Sequence, residues 1–230
     1  MFYSKRIEII CSYLRESKSF ADVGCDHGYC SEYVLKNGLC KRVIFSDISA
    51  GSLKKAETLL APYVINGMAK GVVGDGFFGV PKDTEQVLIA GMGGFEICSI
   101  LSDERYGFLP ETFVFQPMHD GEKLRRYILK NGGYIERDFT FFDSGKFYDL
   151  IVGRKRKEDE QEQIYTDAEA QFGRDNISER PEAFIRFLQK KIEDTTRYQA
   201  DAGDKLQETS RRALDEKIER YKGVLSGEIK

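Results

Sequence analysis

The sequence predicts an α/β fold in which a mostly parallel sheet ends in an antiparallel hairpin and is followed by a carboxy-terminal helical unit. From Phe20 to about Arg154, short β-branched and aromatic runs alternate with helical stretches, which is typical of repeated strand-helix-strand units. Beyond Pro181, apolar residues recur every three or four positions among many charges. That spacing indicates long amphipathic helices.

Seven segments are predicted to be strands because β-branched and aromatic residues cluster in them. They are FADVG (20–24), RVIFSD (42–47), GVVGD (71–75), QVLIAG (86–91), TFVFQ (112–116), YIERDFTFFD (134–143) and KFYDLIVGRK (146–155). Only Ser144 and Gly145 join the last two, so we expect these two to pair as an antiparallel hairpin. Helices are predicted between the earlier strands, at 31–37, 49–61, 95–101 and 121–131.

A charged block, RKRKEDEQEQ (154–163), and a turn-rich piece, FGRDNISERPE (172–182), interrupt the chain. We therefore predict two units, residues 1–155 and residues 156–230. In the second unit, ADAGD (200–204) separates two groups of apolar positions. This arrangement predicts a helical hairpin resembling a short coiled coil, and a single kinked helix is the alternative.

The composition excludes several classes of protein. No apolar run approaches the roughly 18 to 20 residues of a membrane span, and MFYSKRIEII lacks the features of a signal peptide, so we expect a cytoplasmic protein. The net charge of −3 means that a nucleic acid would have to bind a local basic patch. Five cysteines without zinc-like spacing predict reduced thiols and no metal site.

The first predicted strand leads into DVGCDHGY (22–29), which resembles a glycine-rich nucleotide loop. Ligands of such sheets bind beyond the carboxyl ends of the strands. Gly24 permits a sharp turn there and Gly28 a close approach of the backbone to a ligand. Asp26 replaces a glycine of the dinucleotide pattern, and its carboxylate would repel a pyrophosphate but attract an ammonium or sulfonium group. The loop therefore favours S-adenosylmethionine over NAD.

Three further strand ends carry suitable groups. Asp47 lies about 20 residues beyond the loop and is suited to bind a ribose diol, or it caps the helix that begins near Ser49. Asp75, in GDGF, could accept a hydrogen bond from an adenine amino group, although a plain turn also explains this segment. AGMGG (90–94) predicts close packing of backbone against a ligand, and a tight structural turn would explain two of its three glycines.

The segments ADVGCDHGY, SDISAGSLKKAE, GDGF, IAGMGG, FQP and KFYDLIVG occur in this order along the chain. Together they resemble the TrmK-like bacterial family, class I methyltransferases that methylate N1 of adenine 22 in tRNA. The resemblance covers essentially the whole chain. It implies a Rossmann-like sheet, S-adenosylmethionine as methyl donor and tRNA as substrate. Met118 stands where this family commonly has asparagine, which removes an amide suited to an adenine edge.

The resemblance, together with the chemistry of the loops and of aromatic and basic residues, predicts the site residues. The cofactor-binding set is Asp22, Gly24, Asp26, His27, Gly28, Asp47, Ile48, Gly74, Asp75, Gly76, Ala90, Gly91, Met92 and Gly93. Asp26 is in addition the predicted catalytic residue, which either stabilises charge on the adenine or only positions it. The substrate-binding set is Tyr29, Gln116, Pro117, Tyr148, Arg125 and Arg126. The alternative interpretation, which is the commoner case for such residues, is that the tyrosines belong to the core and the arginines are solvated surface charges.

Other functions stay open on the sequence alone. A class I methyltransferase could act on another RNA, a small molecule or a protein, and a non-catalytic module that binds S-adenosylmethionine or RNA is a further alternative. The chain lacks an Asn/Asp-Pro-Pro-Tyr motif after the fourth strand, which disfavours methylation of exocyclic amines. We expect a monomer or a weak dimer.

Overall fold

The computed structural model describes residues 3–229 and contains one seven-stranded sheet. Positions 1, 2 and 230, at the ends of the two predicted units, lie outside the described residues. The strands are β1 (Phe20–Val23), β2 (Val43–Asp47), β3 (Ala69–Val73), β4 (Gln86–Met92), β5 (Thr112–Pro117), β6 (Gly133–Asp143) and β7 (Lys146–Lys155). Their order is β3-β2-β1-β4-β5-β7-β6.

The directions of the strands confirm the predicted architecture of a mostly parallel sheet with an antiparallel hairpin. Strands β1 to β5 run parallel, and β7 pairs antiparallel with both β5 and β6. The chain leaves β1 toward β2 and β3 on one side and returns to β4 on the other. The carboxyl ends of five strands therefore meet at one edge, with the change of direction between β1 and β4, where such sheets bind ligands.

Ten α-helices are assigned in the described part of the chain. They are α1 (Lys5–Ser12), α2 (Tyr29–Lys36), α3 (Ala50–Leu59), α4 (Ala61–Ile65), α5 (Gly94–Leu101), α6 (Gly121–Lys130), α7 (Asp167–Phe172), α8 (Arg174–Glu179), α9 (Glu182–Ala202) and α10 (Glu208–Ser226). Helices cover both faces of the sheet, so alternate residues of β5 enter different cores. Val114 joins one core, and Phe113 and Phe115 join the other.

Two of the differences from the predicted element bounds concern the third strand and the second predicted helix. The third strand begins at Ala69 and ends at Val73, which leaves Gly74 and Asp75 in the following loop. The helix predicted over 49–61 is two helices, because the chain turns at Leu60 and Pro62 lies at the start of α4. Proline fits the first turn of a helix, where its missing N–H has no partner to lose.

The prediction of a turn-rich connection over 172–182 is wrong, since α7 and α8 occupy most of it. Thr166 caps α7 and forms a capping box with Glu169, and Gly173 (φ 95°) separates the two helices. Helices as short as α7 and α8 are not stable on their own, so their stability comes from capping residues and tertiary packing. The division of the chain into two units at residue 155 stays a prediction.

The carboxy-terminal helices α9 and α10 pack against each other as the predicted helical hairpin. Phe184 and Leu188 of α9 meet Tyr221 and Val224 of α10, with Phe172 beside them. The two helices run antiparallel, and Gln199 near the end of α9 donates a hydrogen bond to Asp215 early in α10. The likeness to a coiled coil stays a prediction.

Candidate active site

An open cleft of about 1070 Å³ lies at the carboxyl edge of the sheet. Loops after β1, β2, β3 and β4 line it, together with α1 and residues of α5. Of the fourteen residues in the predicted cofactor-binding set, all but Gly28 and Gly93 line this cleft. The fold thus brings together residues that are far apart in the sequence.

Three residues of the loop after β1 have left-handed backbone conformations, Gly24 (φ 74°), Asp26 (φ 46°) and Gly28 (φ 76°). A Cβ at Gly24 would lie 2.3 Å from Cε of Met92, so this glycine lets the first and fourth strand ends touch. A Cβ at Gly28 would lie 2.9 Å from Cβ of Ala56 on α3. The absent side chain of Gly28 thus faces a packed helix, and Gly28 does not line the cleft. The approach of its backbone to a ligand stays a prediction.

Asp26 lies at the mouth of the cleft, with 70% of its side chain exposed. Its backbone N–H donates to Oδ2 of Asp47 (3.1 Å). The nearest charged partner of its carboxylate is Nε2 of His27 at 3.9 Å, and within residues 3–229 the carboxylate accepts no hydrogen bond. Aspartate tolerates the left-handed conformation better than most residues do. The fold therefore fixes the Asp26 backbone and leaves its carboxylate available.

Asp47 fixes the loops after β1 and β2. Besides accepting from Asp26, it accepts a hydrogen bond from the N–H of Ser49 through Oδ1 (2.8 Å). Ser49 itself caps α3 by accepting from the N–H of Ser52 (3.3 Å). The alternative interpretation of Asp47 as the helix cap is therefore wrong, and its half-buried carboxylate still borders the cleft.

Asp22 lies deepest among the acidic residues of the cleft and is only 4% exposed. Oγ of Ser31 donates a hydrogen bond to its Oδ2 (2.8 Å). Burial raises the pKa of Asp22 to about 6, against the opposing effect of the hydrogen bonds from Ser31. An approaching positive charge would favour the ionised form.

The loop after β3 places Gly74, Asp75 and Gly76 beside two exposed hydrophobic residues. Ile48 is 71% exposed and Phe78 46% exposed, and both line the cleft. A Cβ at Gly74 would lie 2.6 Å from the Phe78 ring, so this glycine permits the ring to fold over the loop. The carboxylate of exposed Asp75 accepts no hydrogen bond from the described part of the chain.

The glycines after β4 have different roles. A Cβ at Gly93 would lie 2.4 Å from Cε1 of His119, and one at Gly94 would lie 2.3 Å from the carbonyl oxygen of Asp120. These two glycines therefore permit tight packing against the loop after β5. Gly91 (φ 83°) is exposed and lines the cleft.

The predicted substrate-binding residues do not form one cluster. Tyr29 lines the cleft, and its ring centroid lies 5.5 Å from that of His27. Gln116 is fully buried, and its amide donates to the carbonyl of Pro117 (2.9 Å). Tyr148 is half-buried and stacks on Phe141. Of these, Tyr29 is the aromatic residue that borders the cleft.

Arg125 is completely buried, so the prediction that it contacts tRNA is wrong. Its guanidinium pairs with Asp138 (3.0 Å) and Asp149 (3.1 Å). Thr140 donates to Asp149 (2.7 Å), and Asn176 of α8 donates to Thr140 (2.8 Å). We call these five residues the buried network. Burial alone would lower the pKa of Arg125, but the two carboxylates outweigh it and raise this pKa.

Arg126, by contrast, is exposed on α6 and pairs with Glu122 (3.0 Å) and Asp167 (2.8 Å). It does not line the cleft. Met118, the departure from the family pattern, is 44% exposed, and its Sδ lies 3.8 Å from Nε2 of Gln116.

The sequence analysis missed Arg6 of α1, which lines the cleft. Its Nε donates to Oε1 of Gln116 (2.8 Å). Nothing in the local sequence distinguishes Arg6 from an ordinary surface arginine, because only the fold brings α1 to the ends of β4 and β5. The same holds for Tyr106, whose ring packs edge-on against Phe78 at 5.5 Å.

Among the residues whose side chains the structure describes, no group of three or more His, Cys, Asp or Glu residues is arranged to hold a metal ion. No described helix is both long and apolar enough to cross a membrane. The five cysteines are free, and Cys98 is the most exposed of them. The expected cytoplasmic location and the expected monomer or weak dimer stay predictions.

The chain is similar to proteins that are named as tRNA methyltransferases. A protein of Mycoplasma pneumoniae, provisionally named a tRNA methyltransferase, is 31% identical over 158 residues, 66% of this chain and 72% of that protein. The tRNA (adenine(22)-N(1))-methyltransferase of Bacillus subtilis is 27% identical over 153 residues, 65% of this chain and 63% of that enzyme. M. capricolum TrmK, solved with S-adenosyl-homocysteine, shares the fold at a TM-score of 0.84 and 17% identity, over 99% of each chain.

A family model described as TrmK, tRNA (adenine(22)-N(1))-methyltransferase, matches residues 20–223. The match spans the whole sheet and most of the carboxy-terminal helices. The strand order and the cleft at the carboxyl ends of the strands agree with it. This chain therefore belongs to the TrmK family of tRNA (adenine(22)-N(1))-methyltransferases, which use S-adenosylmethionine as methyl donor.

Proposed function

We propose that this chain methylates N1 of adenine 22 in tRNA with Asp26 at the point of methyl transfer. The observation that carries this proposal is the available Asp26 carboxylate at the mouth of the cleft. The backbone of Asp26 is fixed by Asp47 (3.1 Å), while its side chain is 70% exposed. A fixed backbone with a free carboxylate suits a group that must meet an incoming base.

The residues of the cleft fit S-adenosylmethionine. Asp47 borders the cleft where a ribose diol would bind. The Asp75 carboxylate is free to accept from the adenine amino group of the cofactor, beside the apolar side chains of Ile48 and Phe78. Asp22 and Asp26 supply negative charge on the side of β1, which suits the ammonium and sulfonium groups of this cofactor. A pyrophosphate would be repelled by the same carboxylates.

Bound S-adenosylmethionine supplies an electrophilic methyl group on a sulfonium. The N1 lone pair of neutral adenine is already free, so the chain needs no general base. Its task is to orient the base and to stabilise the positive charge that develops on the ring. Asp26 accepts a hydrogen bond from the exocyclic amino group, and its carboxylate opposes that charge.

N1 lies on the pairing edge of adenine, so the target nucleotide has to leave its stack to reach the cleft. Extrusion of a base costs a few kcal/mol and is favoured by an aromatic receiving surface. The rings of Tyr29 and His27, 5.5 Å apart, border the cleft next to Asp26. We assign them to the receiving surface.

The test uses purified protein, S-adenosylmethionine and unmodified tRNA that carries adenine at position 22. We expect mass spectrometry of the nucleosides to find up to one 1-methyladenosine per tRNA, and primer extension to stop at position 22. A matched tRNA with guanine at position 22 should gain none. Absence of 1-methyladenosine from the first tRNA would refute the proposed function.

A further inference from the structure

Arg6 is held in a fixed position by four parts of the protein. Its backbone N–H donates to Oδ2 of Asp143 (3.2 Å) and its Nε donates to Oε1 of Gln116 (2.8 Å). Its guanidinium carbon lies 5.3 Å from the centroid of the Tyr148 ring. A Cβ at Gly91 would lie 3.0 Å from its Nη2. The guanidinium thus lies beside the carboxyl ends of β4 and β5 and the start of β7.

The two terminal nitrogens of Arg6 remain available. Among residues 3–229, neither Nη1 nor Nη2 donates a hydrogen bond, and no carboxylate lies within 4 Å of the guanidinium. This is unusual in a cleft that six acidic side chains line, namely Asp22, Asp26, Asp47, Asp75, Glu96 and Asp103. A half-buried guanidinium with unused donors is suited to bind two oxygens of a phosphate or carboxylate.

The position of Arg6 separates it from the residues assigned to the adenosine part of the cofactor. Asp47 and Asp75 follow β2 and β3, on one side of β1, whereas Gly91 and Gln116 follow or end β4 and β5 on the other side. Arg6 contacts the second group. A ligand group bound by Arg6 therefore lies on the half of the cleft away from the residues assigned to the adenosine.

We propose that Arg6 is a substrate-positioning residue that binds a phosphate next to the target adenosine of the tRNA. This inference rests on the proposed function. An acidic cleft repels the phosphates of an incoming nucleotide, and Arg6 offsets this repulsion at one defined point. Because its Nε is already held by Gln116, little side-chain entropy is lost on binding.

The first experiment compares Arg6→Met with Lys5→Met, a matched loss of one exposed positive charge from the same helix. We expect Arg6→Met to lower kcat/KM for tRNA by about 10- to 100-fold, in line with the loss of charge-assisted hydrogen bonds. The slope of log(kcat/KM) against log[salt] should become shallower by about 1, as for one lost phosphate contact. The dissociation constant of S-adenosylmethionine, measured by calorimetry, should stay within threefold of wild type.

The proposal would be overturned if Arg6→Met changed cofactor binding rather than the use of tRNA. If Arg6→Met weakened S-adenosylmethionine binding more than tenfold and left the KM for tRNA unchanged, Arg6 would instead bind the carboxylate of the cofactor. If Lys5→Met lowered kcat/KM as much as Arg6→Met, the loss would reflect the general charge of the helix, and the proposal for Arg6 would be overturned. Arg6→Lys guards against misfolding, since it keeps the charge, and it should retain the wild-type salt slope while losing part of kcat/KM.

The decisive experiment replaces the phosphate on either side of nucleotide 22 by an uncharged methylphosphonate in tRNA joined from synthetic halves. In wild-type protein, one of the two replacements should lower kcat/KM by about the factor lost in Arg6→Met. In Arg6→Met, the same replacement should have no further effect. Fully additive losses would overturn the proposal. Wild-type methylation of the unmodified tRNA in the same assay reports separately on the proposed function.

Discussion

Acidic side chains occur in two regions of this protein under opposite conditions. In the cleft, the carboxylates of Asp26 and Asp75 face solvent and accept no hydrogen bond from the described part of the chain. In the buried network, Asp138 is 1% exposed and lies 3.0 Å from the fully buried Arg125. The first set of charges is left available, whereas the second is fully engaged.

The difference follows from solvation. A carboxylate in an open cleft stays hydrated, so it can remain without a protein partner at little cost in stability. A carboxylate inside the protein loses its water and has to be compensated by charge and hydrogen bonds. Carboxylates without a protein partner therefore indicate a ligand-binding role, whereas buried and paired carboxylates indicate a role in stabilising the fold. Substitutions in the two regions should accordingly change different properties.

The largest expected effect is that of Arg125→Met on stability. This change removes the positive charge from the buried network and leaves Asp138 and Asp149 without it. We expect the free energy of unfolding to fall by about 3–5 kcal/mol, measured by urea denaturation. Arg126→Met on the same helix is the control, and its exposed ion pairs predict a loss below about 1 kcal/mol. Equal losses in the two variants would contradict the distinction.

A smaller effect is expected for Gly94→Ala. The new Cβ would lie 2.3 Å from the carbonyl oxygen of Asp120, which is backbone and cannot move aside alone. We expect a loss of about 1–3 kcal/mol in the free energy of unfolding. Gly51→Ala is the control, because its Cβ meets only Oγ of Ser49 at 3.6 Å, and it should stabilise α3 by about 0.5–1 kcal/mol. A neutral Gly94→Ala would show that this packing is loose.

The smallest of the three effects concerns the pH dependence of cofactor binding. Burial raises the pKa of Asp22 from 3.8 to about 6, so stability contributed by its protonated form is lost as pH rises from about 4 to 6. A cationic ligand prefers the ionised form. S-adenosylmethionine should therefore bind about tenfold more weakly at pH 5 than at pH 7, measured by calorimetry. Asp22→Asn should flatten this dependence, and an unchanged slope would exclude Asp22 as its source.

The sequence predicted the sheet and its hairpin because local patterns determine them. Strand composition, a two-residue turn and glycines at strand ends are all visible within short segments. Four acidic residues of the cleft, Asp22, Asp26, Asp47 and Asp75, were predicted for the same reason, since each lies at or within three residues of the end of a strand. Glu96 and Asp103 were not predicted. Asp26 stood out because a carboxylate replaced a turn glycine.

The remaining features depend on tertiary contacts that no local pattern records. Arg125 resembles a surface arginine, yet α7, β6 and β7 enclose it. Arg6 enters the cleft only because α1 packs near the end of β5. Gly28, which directly precedes α2, packs against Ala56 of α3, and these two helices lie on either side of β2 in the sequence. Each of these results needed the fold before the residue could be interpreted.

The central claim is that the available carboxylate of Asp26 takes part in methyl transfer. It is tested most directly by the single-turnover rate of Asp26→Asn with saturating tRNA and S-adenosylmethionine. Asparagine also tolerates the left-handed conformation (φ 46°), so the fold should persist, and Asp120→Asn is a control with the same backbone conformation (φ 56°) outside the cleft. We predict that Asp26→Asn lowers this rate by about 100-fold or more and leaves the Tm unchanged. A rate within threefold of wild type would contradict the account.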